Sequence, residues 1–412
     1  MRVILSFIFV VFCFKSYSQE KDLNYFIATA EKNSPLLIDY KNQIQSATLD
    51  SLLNLATRKP QVNGILFGNY APVINDLGYD TTLSNGQTFS GLIGVNQKII
   101  GKNRSKIQSQ TFKLVKDGLI SNKKIALKDL KKVIISQYIS VVATSEQVEN
   151  NTKTASLLKD EALVLKKLAQ NSVYKQTDYL LFTATVKQQE LTVLQLKQQY
   201  QTDLGLLHYL SGETDTTFVH LKTPDIALKS NLKEARIMFL KSFEIDSLKL
   251  QNQKSLIDLA YKPSFSLLGD AGYMSTFTNL PHKNFGVSLG FGLSIPIYDG
   301  NQRSLQHQKI TAALATNLAY KNNFNKQYQQ QLLILKQRLK QVEEIENQLK
   351  SQLSIAETLI EANKKLLLTG DAQITEFVIA IGNLITIQNS ISQNNINKLQ
   401  LINEINYWSF NE

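Results

Sequence analysis

At 412 residues, with 43% hydrophobic and 19% charged side chains, the chain could hold two or more ordinary domains, but its individual segments are too long for globular folds. The 45 Lys/Arg outnumber 34 Asp/Glu without any tight basic block interleaved with aromatics, which argues against nucleic-acid binding. The single cysteine, Cys13, excludes a disulfide framework.

At the N-terminus, Arg2 precedes an apolar run from Val3 to Phe14, then Lys15 and the small-x-small triplet Ser16-Tyr17-Ser18. Residues 1–18 read as a secretory signal peptide cleaved near Ser18-Gln19, because such a run is too short to span a bilayer. Cys13 lies inside it, behind Val10, Val11 and Phe12 rather than the small residues that precede a lipidated cysteine, so no lipid anchor is expected. The mature chain keeps 43 basic residues against 34 acids, a charge of +9 expected to be spread over long solvated helices. Beyond the signal no run approaches 18 apolar residues, so entry into a membrane would require a β-barrel.

A short helix is expected from Lys21 to Lys32, stopping at Asn33-Ser34-Pro35, where Ser34 can cap and Pro35 can open the next helix. That second helix runs to about Thr57 and closes with Ser51-Leu52-Leu53-Asn54-Leu55-Ala56 before Lys59-Pro60. The phrase returns 204 residues later as Ser255-Leu256-Ile257-Asp258-Leu259-Ala260 before Lys262-Pro263. Lys166-Lys167-Leu168 and Thr177-Asp178-Tyr179 recur in the same way as Lys364-Lys365-Leu366 and Thr375-Glu376-Phe377, at an offset of 198. The chain is a tandem duplication, with a first repeat at 19–211, an equatorial linker at 212–231 and a second repeat at 232–412. This period is far longer than that of small-repeat solenoids.

Each repeat reads as helix, β-hairpin, very long helix and return helix. The hairpins fall at 60–100 and 263–297. Between Phe285 and Ile297 every odd residue is apolar and every even one is Gly, Ser or Pro, the period of a strand with one greasy and one small, polar face. Pro263 to Tyr273 alternates similarly. In the first hairpin Val62, Leu66 and Tyr70 share a face, as do Phe89, Ile93, Val95 and Ile99 in its partner strand. Four strands per chain cannot close a membrane barrel, whose smallest bacterial form has about eight.

The long helices are expected at 102–170 and 301–368, each roughly 100 Å at about 1.5 Å per residue. Leu335, Leu339, Val342, Ile345, Leu349, Leu353, Ala356 and Ile360 form an apolar stripe with a period close to 3.6 in the second, and Leu127, Leu130, Ile134, Tyr138 and Val141 do so in the first. Return helices follow at 178–211 and 375–408. Laid end to end, a leading and a return helix nearly match the long helix beside them, which suggests antiparallel coiled coils with the linker at their midpoint. The stretch Ser211 to Pro224 is too polar for a core.

No nucleophile, base and orienter can be assembled from local motifs, so no enzyme and no cofactor are expected. His208, His220, His282 and His307 lack metal-ligand spacing and are expected to be solvated or interfacial, leaving no metal site. Gly286, Gly290 and Gly292 sit in a strand pattern and do not complete a phosphate loop. Asp178 and Glu376, just after helix breaks, suit the positive end of a helix.

The Asn33-Ser34-Pro35 helix start, Lys262-Pro263-Ser264-Phe265 opening a strand, Leu293-Ser294-Ile295-Pro296-Ile297-Tyr298-Asp299-Gly300 closing another, and Leu368-Thr369-Gly370 at the second break resemble the TolC family of outer-membrane efflux proteins over essentially the whole mature chain. The resemblance implies a mainly α fold with membrane β: a homotrimer whose strands close one 12-stranded barrel continued by an α-helical periplasmic tunnel. It implies an outer-membrane channel of a Gram-negative-type bacterium that passively exports drugs, metabolites or proteins. An inner-membrane transporter and a periplasmic adaptor, a membrane fusion protein, would deliver them in a tripartite efflux or type I secretion system. The family gate carries over to the helix tips Gln170–Thr177 and Leu368–Ile374, with Glu376, Asp178, Gly370, Ser172 and Asp371 as its candidates. The family's second acidic slot is Ile379 here, and the arginine often found after the tip glycine is Ala372. On the barrel, Phe265, Leu267, Tyr273, Val287, Leu289, Phe291, Leu293 and Tyr70 are the candidates to face outer-membrane lipid, with the tyrosines at equivalent strand ends. The alternative is a periplasmic coiled-coil adaptor or scaffold with soluble hairpins, which the uninterrupted apolar face disfavours.

Overall fold

The computed structural model describes residues 21–80, 82, 86–213, 221–228, 232–276, 283–371 and 373–409. The expected signal peptide, half of the expected linker, the loop residues Asn85, Thr278, Asn279 and Pro281, and Ala372, His220 and His282 lie outside them.

The elements follow the order helix, hairpin, long helix and return helix twice. They are α1 (Leu23–Asn33), α2 (Pro35–Ala56), β1 (Gln61–Tyr70), β2 (Gln87–Ile99), α3 (Lys102–Gln170), α4 (Gln176–Ser211), α5 (Leu232–Ala260), β3 (Ser264–Ser275), β4 (Phe285–Ser294), α6 (Gln302–Thr369) and α7 (Ile374–Trp408). The Asp22 side chain accepts the Tyr25 N–H at 2.8 Å and starts α1. Extended backbone at Ser34, the conformation that a following proline imposes, stops it. Pro35 then opens α2, where a missing N–H costs nothing.

β4 ends three residues sooner than the alternation suggests. Its last rung pairs Ser294 with Ser264, the first residue of β3, so no partner remains. Pro296 also lacks an N–H for a ladder, and Ile295 and Ile297 lie beyond the strand, exposed.

The chain forms two compact units, and each draws on both repeats. One comprises Met1–Ser34, Asp129–Leu228 and Leu335–Tyr407, the other Pro35–Lys128, Lys229–Ile334 and Trp408–Glu412. The first holds the helix-to-helix turns and is called the turn-bearing unit. The second holds the sheet.

In the sheet-bearing unit the strands form one antiparallel sheet of order β1-β2-β3-β4. Its central pair, β2 with β3, joins the two repeats, with Val95 opposite Gly269. Arg104 of α3 donates to the carbonyl of Leu259, and Arg303 of α6 donates to Asp258 at 2.7 and 3.0 Å. Equivalent arginines of the two repeats thus converge on the C-terminal end of α5, where cations are favoured.

The turn-bearing unit has two apolar cores. One gathers Leu158, Leu165, Phe182, Val186, Ala356, Ile360, Leu367 and Phe377 from α3, α4, α6 and α7. The other packs Phe26 and Ala30 of α1 on Ile134, Tyr138, Tyr200 and Leu207. Leu221 is buried in this second core and the Lys222 carbonyl accepts from the Tyr138 hydroxyl at 2.9 Å, so the far end of the polar linker contributes to packing after all. Along the α6 stripe Leu335, Ala356 and Ile360 are buried, but Ile345 is 49% exposed. Its neighbour Glu346 turns inward instead and is held by Lys398 of α7 at 2.8 Å.

Candidate functional site

Two places on the chain hold the predicted site residues: the faces of the sheet and the two turns between long and return helices.

The strand registers decide what each face carries. Val62 pairs with Val95, Val95 with Gly269 and Gly269 with Leu289, so one rung crosses all four strands. With side chains alternating at every residue, that rung places Tyr70, Phe265, Leu267, Tyr273, Val287, Leu289, Phe291 and Leu293 on the same face. Val62, Leu66, Phe89, Ile93 and Ile99 join them. Leu289 is 89% exposed and Leu66 80%. Contiguous exposed apolar residues of this kind are unusual on a soluble monomer. Large and small residues alternate across the face, and a Cβ at Gly269 or Gly91 would stand 3.2 Å from the Leu289 or Leu66 side chain.

The strands contain two charged residues, Lys98 and Asp270. Both fall on the opposite face, among Asn63, Ser90, Asn96, Ser266 and Ser288. The Ser288 hydroxyl donates to Asp270 at 2.6 Å. Polar residues interrupt the apolar face only near its ends: Gln97 at the helix side, where its amide donates to the Arg58 carbonyl at 2.7 Å, and Gln87 and Ser275 at the opposite end. One face is therefore greasy and free of charge; the other carries both charges and the small polar residues, mixed with Ile65, Phe67, Leu92, Leu268 and Met274.

The two turns share one backbone design. After α3, the N–H of Val173 donates to the Leu168 carbonyl at 2.9 Å and that of Ser172 to Ala169 at 3.1 Å; after α6, Asp371 donates to Leu366 at 3.0 Å and Gly370 to Leu367 at 3.3 Å. Each is a Schellman motif closed by a residue in the left-handed region, Ser172 at φ 61° and Gly370 at φ 83°. The glycine is required in the second, since a Cβ there would stand 2.9 Å from Val173 Cγ1. Tyr174 also donates to the Leu367 carbonyl at 3.2 Å, tying one turn to the other. Behind them Phe182 of α4 stacks on Phe377 of α7, with centroids 5.9 Å apart and planes 6° from parallel.

Asp178 accepts the Lys175 N–H at 3.1 Å and so starts α4, the helix-start role its position suggests. Glu376 lies at the equivalent place in α7 and is exposed, as are Asp371, Ser172 and Ile379. The structure thus brings Ser172, Gly370 and Asp371 to two touching turns, with Asp178 and Glu376 in the helical turns that follow. The Tyr174 tie and the Phe182–Phe377 stack were missed from sequence. The repeat offset aligns Phe377 with Tyr179 rather than with Phe182, so no local signal pointed to the stack.

Away from the turns, Glu190 receives hydrogen bonds from Lys159 and Lys187, which hold its carboxyl down at about 2. Arg303 keeps Asp258 below the usual carboxylate range despite partial desolvation, with His307 3.1 Å away adding to the effect. Of the two settings expected for it, solvated or interfacial, His208 takes the interfacial one. It is buried, stacked on Phe26 at 5.7 Å, with its Nε2 3.9 Å from Glu213. Among the described residues no group of His, Cys, Asp or Glu could hold a metal ion.

No family model and no curated protein matches the sequence. Solved structures do match in fold. The outer membrane protein VceC from Vibrio cholerae is 14% identical with a TM-score of 0.77, covering 94% of this chain and 95% of that one. The Campylobacter jejuni CmeC outer membrane channel is 13% identical with a TM-score of 0.75, covering 94% and 85%. The open state of the Neisseria gonorrhoeae MtrE outer membrane channel is 10% identical with a TM-score of 0.74, covering 94% and 88%. At such identities it is the fold that is shared: a mainly helical chain with one small antiparallel sheet, the fold of the TolC-like outer-membrane channels.

Proposed function

We propose that the chain is the outer-membrane conduit of an export system, neither an enzyme nor a soluble scaffold. The observation that carries this reading is the sheet: four strands aligned so that one face carries a continuous, charge-free set of large apolar residues and both charges fall on the other. Water would penalise such a face, and hydrocarbon would not. A lone four-stranded sheet also leaves the outer edges of β1 and β4 unpaired. Pairing β4 of one copy with β1 of the next, three times over, gives twelve strands and no edge, with the helices continuing as a periplasmic tunnel.

Residues 1–18 would direct export and be removed, leaving an unlipidated chain. An inner-membrane transporter and a periplasmic adaptor would deliver drugs, metabolites or proteins to the tunnel, through which they pass without chemistry. The touching turns at Ser172 and Gly370 would form the gate, with Asp371, Asp178 and Glu376 around it. Three copies of Glu376 make an acidic ring.

The test is native mass and planar-bilayer conductance of the detergent-extracted protein, beside Glu376→Ala. A trimer with small, steady current that rises in the variant is expected. A trimer with unchanged current removes Glu376 from the gate, and a non-trimeric, non-conducting species sinks the conduit.

A further inference from the structure

Charge is divided unevenly between the two units. The turn-bearing unit contains 21 basic and 22 acidic residues, a net of −1; the sheet-bearing unit contains 24 and 12, a net of +12, and together these give the chain's +11. Most of the excess is on the two long helices. From Lys102 to Lys128, α3 has eight basic residues against one acid, Asp117, and α6 has no acid before Glu343.

On α3 the excess is ordered into a stripe. At about 100° per residue, Lys102, Lys106, Lys113 and Lys124 fall within about 40° of one another, along roughly 33 Å of helix. All four are exposed, and among the described residues none has an ion-pair or hydrogen-bond partner. The helix is secured on another side, where Thr111 accepts from Asn252 of α5 at 2.8 Å and Leu114 is buried. Three acids of this unit are paired elsewhere, Asp246 with Lys249, Glu244 with Lys321 and Asp258 with Arg303, and Asp117, the one acid beside the stripe, forms no ion pair among the described residues. In the turn-bearing unit, by contrast, Lys131 pairs with Glu31, Lys159 with Glu190 and Lys364 with Glu161.

Unpaired like charges on one helix face repel, and only counter-ions or an anionic ligand relieve them. We propose that this lysine stripe makes the sheet-bearing part of the conduit attract anions, so that its favoured cargo is anionic. The inference rests on the conduit reading. In a trimer the stripe occurs three times. Its field reaches about 8–10 Å into salt solution, concentrating anions and repelling cations, as lysine rings do in anion pores.

The reversal potential of the trimer in a tenfold KCl gradient tests this, for the natural protein and for Lys102→Gln, Lys106→Gln, Lys113→Gln and Lys124→Gln combined. The natural protein is expected to prefer chloride over potassium by about threefold or more, and the combined variant to lose most of that preference. The four Lys→Arg replacements should retain it, and Lys153→Gln in the turn-bearing unit should leave it unchanged. Trimer mass checks that each variant assembles, and Lys113→Gln alone, which should lower the preference in part, stands in if the combined variant does not. A conducting trimer that prefers potassium, or whose chloride preference survives loss of the lysines, overturns the proposal. Absence of conductance in the natural protein overturns the conduit reading itself.

Discussion

The same two helices, α3 and α6, run through both units, yet the two stretches of each are built for different surroundings. In the turn-bearing unit, acids and bases balance and pair while large apolar side chains are buried between helices. In the sheet-bearing unit large apolar residues of the sheet are exposed, and Lys102, Lys106, Lys113 and Lys124 of α3 form no ion pair among the described residues. Helical periodicity is common to both. The difference lies in what the side chains meet, which teaches that a single element can change its solvent along its length without changing its backbone.

The largest expected effect tests whether burial holds the turn-bearing unit. Phe377 is 1% exposed and stacked on Phe182, so Phe377→Ala should cost about 3–5 kcal/mol in denaturant unfolding of the helical signal. A loss below about 1 kcal/mol would mean that this core does not stabilise the turns. On the sheet the same kind of residue should behave in the opposite sense. Leu289→Ala should be mild, whereas Leu289→Arg puts a charge on the greasy face at about 2–4 kcal/mol and should reduce assembled protein in the membrane fraction. Ser288→Arg, one residue along and on the polar face, should assemble normally; equal damage from both would break the two-face reading.

A smaller contrast separates the two turns. Gly370→Ala should destabilise by about 1–3 kcal/mol, because a side chain there meets both a left-handed backbone and Val173. Ser172→Gly should move stability by less than about 0.5 kcal/mol, since relief of the backbone is offset by a more flexible unfolded chain. Thermal melts of both variants would decide it.

The smallest effect concerns pH. Glu190 has a folded value of about 2 against an ordinary 4.5. Its contribution is therefore complete above about pH 4.5 and is lost as pH falls towards 2. Glu190→Gln should flatten the decline of melting temperature across that window and change nothing at pH 7 beyond the lost surface pairs.

Much of the fold was legible in the chain. Alternation marked the strands, breaks at Asn33-Ser34-Pro35 and Leu368-Thr369-Gly370 marked helix ends, and the repeated phrase near Ala56 and Ala260 marked the duplication. These signals are local, with periods of two or 3.6 residues and a few turn residues of restricted backbone. Ile345 was misread, and the choice for His208 between solvent and an interface stayed open, because exposure depends on a partner helix. A period of 3.6 allows either Ile345 or Glu346 to face the seam, and Lys398 settles it.

The sequence by itself determined where strands, long helices and turns lie, and that one face of each strand is apolar, because backbone periodicity imprints itself on neighbouring residues. Only the tertiary structure decided that β2 meets β3 across the repeats, that the four apolar faces coincide and that the excess charge collects in one unit. Val95 and Gly269 are 174 positions apart, and no local preference records a pairing across that distance. It is set by which surfaces the folded chain can bury together.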